Sequence, residues 1–436
     1  MLKLNQILNN ANNLVKQLVC KLNSGENGLF ETEKEILNFV NEIGNLLTID
    51  VIDSINEPTY ENKIFINGEE YLFSKLSNLR FKNRFGEEII KPRRLYKSSK
   101  SGNYIAPLDY KLGMQNCSRY SPLQTYLITM FGADEPFNKS SQKLSETLGF
   151  KISSTAVQNN TEKIGKIIPE NPAHIMDKHA FNKKADLLII EIDGVLSPRI
   201  EEIEGITGQE SLKLKTEYKE CNIVTLQKIT NNKIVDAWTG GKYGPRKDFE
   251  KYLDESTYLF GRQNAKNIVF IADGAKSNWE MQLTNFPFAI QILDFYHAIE
   301  HLAAYCEFFK NKDDKEKFYN RWVKMIYNGE ILEVLNEMKK NTEKLCNKAE
   351  AKKQYNYFNN NKMRMFYDAY REKNYPIGSG LVEGRCKLIV SKRFKGNGMR
   401  WKKIDNEAVL RARLAKFNNN LVPFFKQKPI TWNIAA

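Results

Sequence analysis

Three acids in this 436-residue sequence stand where chemistry is possible. Asp193 closes the apolar run LLIIEI and is followed by Gly194, and Asp273 closes NIVFIA and is followed by Gly274. A lone carboxylate at the end of a buried strand is costly unless protonated, paired or bound to a metal. The plain alternative is an Asp-Gly pair opening a solvated turn. In open α/β sheets the ends of neighbouring strands converge on one edge, where ligands bind. Two carboxylates placed there each raise the other's pKa unless a divalent cation lies between them. Mg2+ takes oxygen ligands, usually one or two carboxylates plus substrate phosphates. Two such ions about 4 Å apart can activate an attacking oxygen and stabilise a leaving one in phosphodiester chemistry. A third carboxylate is then needed, near a basic region that would hold the polyanion. Glu383 fits, because it follows Gly378-Ser379-Gly380 in the first turn of an expected helix and precedes a basic run. Its plain alternative is a helix-start acid favoured by the macrodipole. Gly194 is expected to leave room for the cation and a phosphate. Glu191, on the same strand face but two residues deeper, has no role that the sequence explains.

The elements that must position these acids follow from hydrophobic periodicity. Residues 186–193, 221–229 and 233–240 read as strands, the last two joined by a turn at Asn231-Asn232. An amphipathic helix over 247–262, a buried strand over 267–276, a helix over 277–285 and an apolar strand over 288–297 come next. Long helical stretches then run from Ala298 to about Lys373, and further helices open at Ser379 and over 405–417. The expected fold class is α/β, a mixed sheet with a helical insertion, preceded by a mainly helical region. In that region KIFINGEEYLFS has a hairpin pattern around Asn67-Gly68. The segment Ser141–Phe150, a turn at Gly149 and a second helix to about Gly165 have the form of a helix-turn-helix. The expected organisation is N-terminal helices (1–60), a small β-rich region (61–120), the helix-turn-helix region (121–180), the first part of the core (181–297), the helical insertion (298–376) and the last part of the core with a basic end (377–436).

Composition narrows the partners. The net charge is +14, and it is polarised: 13 Lys and Arg against two acids between Arg385 and Lys428, but six acids and one Arg between Glu191 and Glu210. A basic segment of this kind suits a nucleic-acid backbone. Arg385, Lys387, Lys392, Arg393, Lys395, Arg400, Lys402 and Lys403 are expected phosphate contacts. Trp401 would stack on a base or sugar, or else pack in the core. The six cysteines form no CxxC pair, which argues for a reducing compartment and against a disulfide frame. No apolar stretch reaches the length of a membrane span, and the N-terminus lacks the apolar core of a secretory signal. A cytoplasmic, nucleoid-associated protein is expected.

The order of IDG at Asp193, ADG at Asp273, LDFYH at 293–297 and GSGLVEGRCKLIVSKRFKGNGMRW at 378–401 resembles bacterial insertion-sequence transposases of the DDE class, nearest the Kra-type group within the Mutator-like set. The similarity covers roughly residues 80–417, including PLDYKLGMQNCSRYSP. It implies a ribonuclease H-like catalytic domain in which Asp193, Asp273 and Glu383, spaced by 80 and 110 residues, bind two Mg2+ (or Mn2+) ions. It also makes Asp294 and His297 accessory residues, through an Asp/Cys-x-x-His signature. The implied activity is cutting and rejoining of element ends on double-stranded DNA, at terminal inverted repeats and target, by a homo-oligomer. Relatives often carry Cys-x-x-Cys before PLD; here the chain reads YKSSKSGNYIAPLD, which gives no ground for a zinc ribbon. Two other readings compete: a catalytically silent, transposase-derived DNA-binding protein, and a zinc peptidase using His297-Ala298-Ile299-Glu300-His301.

Overall fold

The computed structural model describes residues 2–55, 62–66, 68–114, 117, 119–149, 151–177, 179–202, 214–343, 345–396 and 399–425. Asn67 of the expected hairpin turn, Gln115, Asn116 and Ser118, Phe150, the acidic run beyond Glu202, Asn397 and Gly398, and Lys426 and Lys428 lie outside the described residues. The chain divides into two compact units, Met1–Ile167 with Leu421–Ala436, and Ile168–Asn420. Among the described residues no helix is long and apolar enough to cross a membrane.

In the first unit, α1 (Leu2–Ser24) and α2 (Leu29–Asp53) form a helical hairpin. Glu31 accepts the Gly28 N–H at 3.1 Å, satisfying a donor that the start of α2 would otherwise leave unpaired. Strands β1 (Lys63–Ile66), β2 (Glu69–Lys82), β3 (Glu88–Ser98) and β4 (Tyr104–Ile105) form an antiparallel sheet in that order. Alternation along β2 and β3 puts Leu79, Phe81 and Ile89 on one face, where Ile52 of α2 and Met114 cover them. After the short α3 (Pro107–Lys111) come α4 (Pro122–Asp134), α5 (Phe137–Leu148) and α6 (Ser154–Ile167), packed around Ile128, Leu144 and Val157. Gly149 ends α5 in the left-handed conformation at φ 72°, the usual glycine role after a helix. The helix, glycine turn and helix expected from the sequence are therefore present.

In the second unit, β5 (Ala185–Glu202), β6 (Leu214–Thr230) and β7 (Lys233–Tyr243) form an antiparallel meander. Asn231 and Asn232 take φ of 51° and 57° at the β6–β7 turn, the left-handed pair that a two-residue type I′ turn requires. Helix α7 (Arg246–Leu259) leads to β8 (Ala265–Ala272), α8 (Lys276–Asn285) and β9 (Ile290–Leu293). Both β8 and β9 run parallel to β5, giving a five-stranded mixed sheet in the order β7-β6-β5-β8-β9. Leu188, Ile190, Val269 and Phe270 are fully buried at its centre. Helix α9 (Phe295–Cys306) opens a helical excursion through α10 (Lys312–Tyr327), α11 (Ile331–Thr342), α12 (Lys348–Asn361) and α13 (Tyr367–Glu372). The chain returns as α14 (Gly380–Arg385), a π-helical turn over Cys386–Ser391, α15 (Lys392–Phe394) and α16 (Lys403–Phe417). A last short helix, α17 (Leu421–Phe425), belongs to the first unit.

The sheet corrects one expectation. The first strand does not end at Asp193: β5 continues for nine more residues to Glu202, and Gly194 pairs with Asn222 and Pro198 with Tyr218 of β6. What ends near Asp193 is the parallel neighbour, whose last β5 pairing is Glu191 with Ile271.

Candidate active site

Three acids occupy one edge of the second sheet. Carrying the Glu191–Ile271 register two residues onward sets Asp193 beside Asp273. Carrying Ala272–Leu293 one residue onward sets Asp273 beside Asp294. Asp273 is the first residue after β8 and Asp294 the first after β9, at the carboxyl ends where ligands collect. Asp193 is half-buried, and burial pushes its carboxyl up. The Cys386 thiol, the Gly194 N–H and the charge of His297 only partly oppose this, while the charge of Asp273 adds to it. Asp273 accepts the Ala275 N–H (3.0 Å) and the Asn278 amide (2.6 Å), both on Oδ1.

Asp294 has a different setting. It is 2% exposed, and its Oδ1 caps α9 by accepting the N–H groups of Tyr296 (2.6 Å) and His297 (3.3 Å). Its Oδ2 accepts the Ser379 N–H at 2.8 Å and the Ser379 hydroxyl, and lies 3.3 Å from His297 Nδ1. Burial works against the ionised form, yet the hydrogen bonds and His297 hold the Asp294 carboxyl below its usual value. The imidazole is driven the other way: Asp294 lifts His297 to about 9 against burial, with help from Asp273 and Asp193. His297 is therefore a cation at neutral pH, set among three acids.

Helix α14, which carries Glu383, starts beside this edge, where two buried acids hold its backbone. Asp294 fastens Ser379, the residue before the helix, and Glu191 accepts the Val382 N–H at 2.9 Å and the Thr225 hydroxyl at 3.3 Å. Glu191, unexplained by the sequence, thus sits at the helix N-terminus, where the orphan N–H groups favour an acceptor. Burial nevertheless lifts its carboxyl to about 7. Cys386, three residues after Glu383, touches Asp193. The Glu383 side chain itself is 47% exposed and paired with Lys387 at 2.5 Å. Among the described residues, no three His, Cys, Asp or Glu side chains gather closely enough to ligate one ion.

Residues 25–423 match the family described as uncharacterised protein family UPF0236. The chain belongs to UPF0236. No curated protein matches it. Among solved structures, the Drosophila P element transposase strand transfer complex is similar at a TM-score of 0.37 and 10% identity, over 72% of this chain and 96% of that one.

Two further expectations change in this UPF0236 chain. The space over Gly194, expected to admit a cation and a phosphate, is occupied by a side chain, and the same holds over Gly274. A Cβ on Gly194 would lie 2.4 Å from the Glu220 carboxyl, and one on Gly274 would lie 2.1 Å from the Tyr357 ring. The protein's own side chains take that space. The two histidines of His297-Ala298-Ile299-Glu300-His301 also separate: His297 pairs with Asp294, while His301 meets Gln354 at 2.7 Å and stacks on Tyr357 at 3.6 Å.

The basic segment divides by exposure. Lys387, Lys392, Lys395, Arg400, Lys402 and Lys403 are exposed or partly so, as phosphate contacts must be. Arg385 is half-buried over the Phe417 ring at 4.3 Å. Arg393 and Trp401 are 1% and 6% exposed, with the guanidinium 4.7 Å from the indole and Phe394 edge-on to it at 5.2 Å. These two are core residues here and present no face to DNA. The Ile200 N–H donates to the Trp401 carbonyl at 2.8 Å, so the end of β5 holds the segment in place. Sequence reasoning missed Glu191, Ser379, Cys386 and Tyr357. For Glu191 a signal existed, its place two residues before Asp193 on a buried strand; for Tyr357, deep in the insertion, none did.

Proposed function

We propose that this protein is a DNA transposase of the insertion-sequence DDE class, with a ribonuclease H-like core. The observation that carries the proposal is the row of Asp193, Asp273 and Asp294 on one sheet edge, with the helix bearing Glu383 fastened beside it by Glu191 and Asp294. A meander of three antiparallel strands followed by two strands parallel to the first supports the ribonuclease H-like assignment. The Kra-type motifs at LDFYH and GSGLVEGRCKLIVSKRF support the finer affiliation.

The donor set suits Mg2+ or Mn2+, because it consists of carboxylate oxygens and Asp193 is desolvated without full compensation. Asp193, Asp273 and Glu383 would hold two ions, Glu383 after leaving Lys387. When bound, the metal supplies charge neutralisation at the phosphate and activation of an oxygen nucleophile. The residues themselves do the rest. Asp294 keeps His297 protonated near the phosphodiester, Glu191 and Ser379 orient α14, and the exposed lysines around 387–403 hold backbone phosphates. The reaction is hydrolysis at an element end, which frees a 3′-hydroxyl, followed by attack of that hydroxyl on target DNA. The α5–α6 pair is the proposed reader of terminal inverted repeats, with a homo-oligomer on DNA pairing two ends in the bacterial cytoplasm, at the nucleoid. A double-stranded oligonucleotide carrying the element end should be nicked only with Mg2+ or Mn2+. Unchanged nicking by Asp193→Ala, Asp273→Ala or Glu383→Gln would remove the triad assignment.

A further inference from the structure

The hairpin of α1 and α2 carries two apolar stripes, and only one is used. Along α1, Ile7, Ala11, Leu14 and Leu18 are wholly or partly buried at alternating steps of four and three residues. Lys21 and Asn27 clasp Glu35 of α2 at 2.8 and 2.9 Å, closing the hairpin. The inner side of α2 is engaged as well, since Ile52 joins the sheet core and the Phe85 ring fills the space above Gly44. These contacts leave a second stripe outside. On α1 it consists of Leu8, Val15, Val19 and Leu22, spaced by seven, four and three residues. On α2 it consists of Leu29, Ile36, Val40, Leu47 and Val51, spaced by seven, four, seven and four.

All nine side chains are between 41% and 66% exposed. Single exposed aliphatics are ordinary on a protein surface, but a stripe on two adjacent helices is not. Steps of three, four and seven are the spacing at which helices pack side by side, with knobs entering holes of a facing helix. A surface repeating that spacing on both helices of a hairpin is matched by another hairpin of the same kind, which closes a four-helix bundle. The size is also adequate: nine half-exposed aliphatic side chains offer on the order of 800 Å² per copy, what a standard interface buries on each partner. Acids and bases flank the stripe without entering it, apart from Glu33.

We infer that the outer stripe of α1 and α2 is a self-association surface that joins two copies of this chain through a four-helix bundle. The association needs neither DNA nor metal. It stands apart from the catalytic proposal, and the two can fail separately.

The test uses the full-length protein, without DNA or divalent cation, in sedimentation equilibrium from about 1 to 50 µM, a range that resolves dissociation constants in the micromolar region. The expected species is a dimer. Val15→Glu with Val40→Glu should shift it to monomer by at least tenfold in dissociation constant, with an unchanged far-ultraviolet spectrum. A milder pair, Val15→Ser with Val40→Ser, should weaken the dimer in the same direction and guards against misfolding. A wild-type monomer throughout the range would overturn the inference and assign the stripe to a different partner. So would a dimer that neither pair weakens.

Discussion

Four carboxylates lie within one patch of the second unit, yet they divide into two kinds. Asp193 and Asp273 stand on the outer rim; Asp193 lies half-buried with its carboxyl pushed up, and Asp273 accepts its hydrogen bonds on one oxygen. Glu191 and Asp294 lie deeper, with their oxygens taken by backbone N–H groups and hydroxyls from other elements. The first kind keeps carboxylate oxygens at the open sheet edge, Asp193 with its carboxyl pushed up by burial; the second kind builds the support. Carboxylates do both jobs, and what separates them is whether their oxygens are engaged by backbone N–H groups and hydroxyls of other elements.

That contrast can be broken by substitution. Asp193→Asn and Asp273→Asn should abolish metal-dependent nicking by roughly 10³-fold or more, the several kcal/mol of charge stabilisation a metal ligand controls. They should leave urea unfolding close to wild type. If either instead unfolds the protein without a specific loss of activity, the rim acids belong with the support. Asp294→Ala should show the reverse, a stability loss of about 2–4 kcal/mol from the lost cap and the orphaned Ser379 and His297 donors, read by urea unfolding.

Glu191 sharpens the division through pH. Its folded pKa of about 7 exceeds the ordinary 4.5, so ionising it costs stability progressively as pH climbs from about 4.5 to about 7. Glu191→Gln keeps an acceptor for Val382 but has no charge. The variant should match wild type near pH 5 and gain on it by about 1–3 kcal/mol near pH 8. A constant difference across that window would show that burial does not govern this carboxyl. The Asp294–His297 pair has the opposite signs. His297, raised to about 9, contributes stability that is complete below about 6.5 and is lost as pH rises through about 9. Asp294, held below 3.8, contributes stability that is present above that value and lost as pH falls through its folded pKa. The smallest effect should come from the cations. Lys402→Ala with Lys403→Ala should lower the salt dependence of DNA binding by about one unit of log–log slope per lysine. Arg393→Ala should destabilise the fold instead, because that guanidinium is packed against Trp401.

The sequence disclosed the sheet's parallel half well, because β8 and β9 are apolar runs that stop at an acid and each is followed by a helix. It disclosed the β6–β7 turn through two adjacent asparagines. It misled at Gly194, which punctuates a chain seen alone but is carried by β6 once the meander pairs. The helix start that carries Glu383 was legible from its glycine-rich lead and basic sequel. The means of holding it were not, since Asp294 lies 85 residues from Ser379 and Glu191 lies 191 from Val382. Nor could composition show that Arg393 and Trp401 turn inward, because burial of a cation over an indole depends on which helices meet there.

The Asp294–Ser379 contact, with the Phe295 N–H donating to the Ile377 carbonyl at 2.9 Å, pins both ends of the helical excursion at a single point. Closing a loop becomes only about 0.6 kcal/mol harder for each doubling of its length. An excursion anchored in this way can lengthen, shorten or be exchanged over evolution at small thermodynamic cost. The start of α14 stays beside β5 and β9 while the helices of the excursion change.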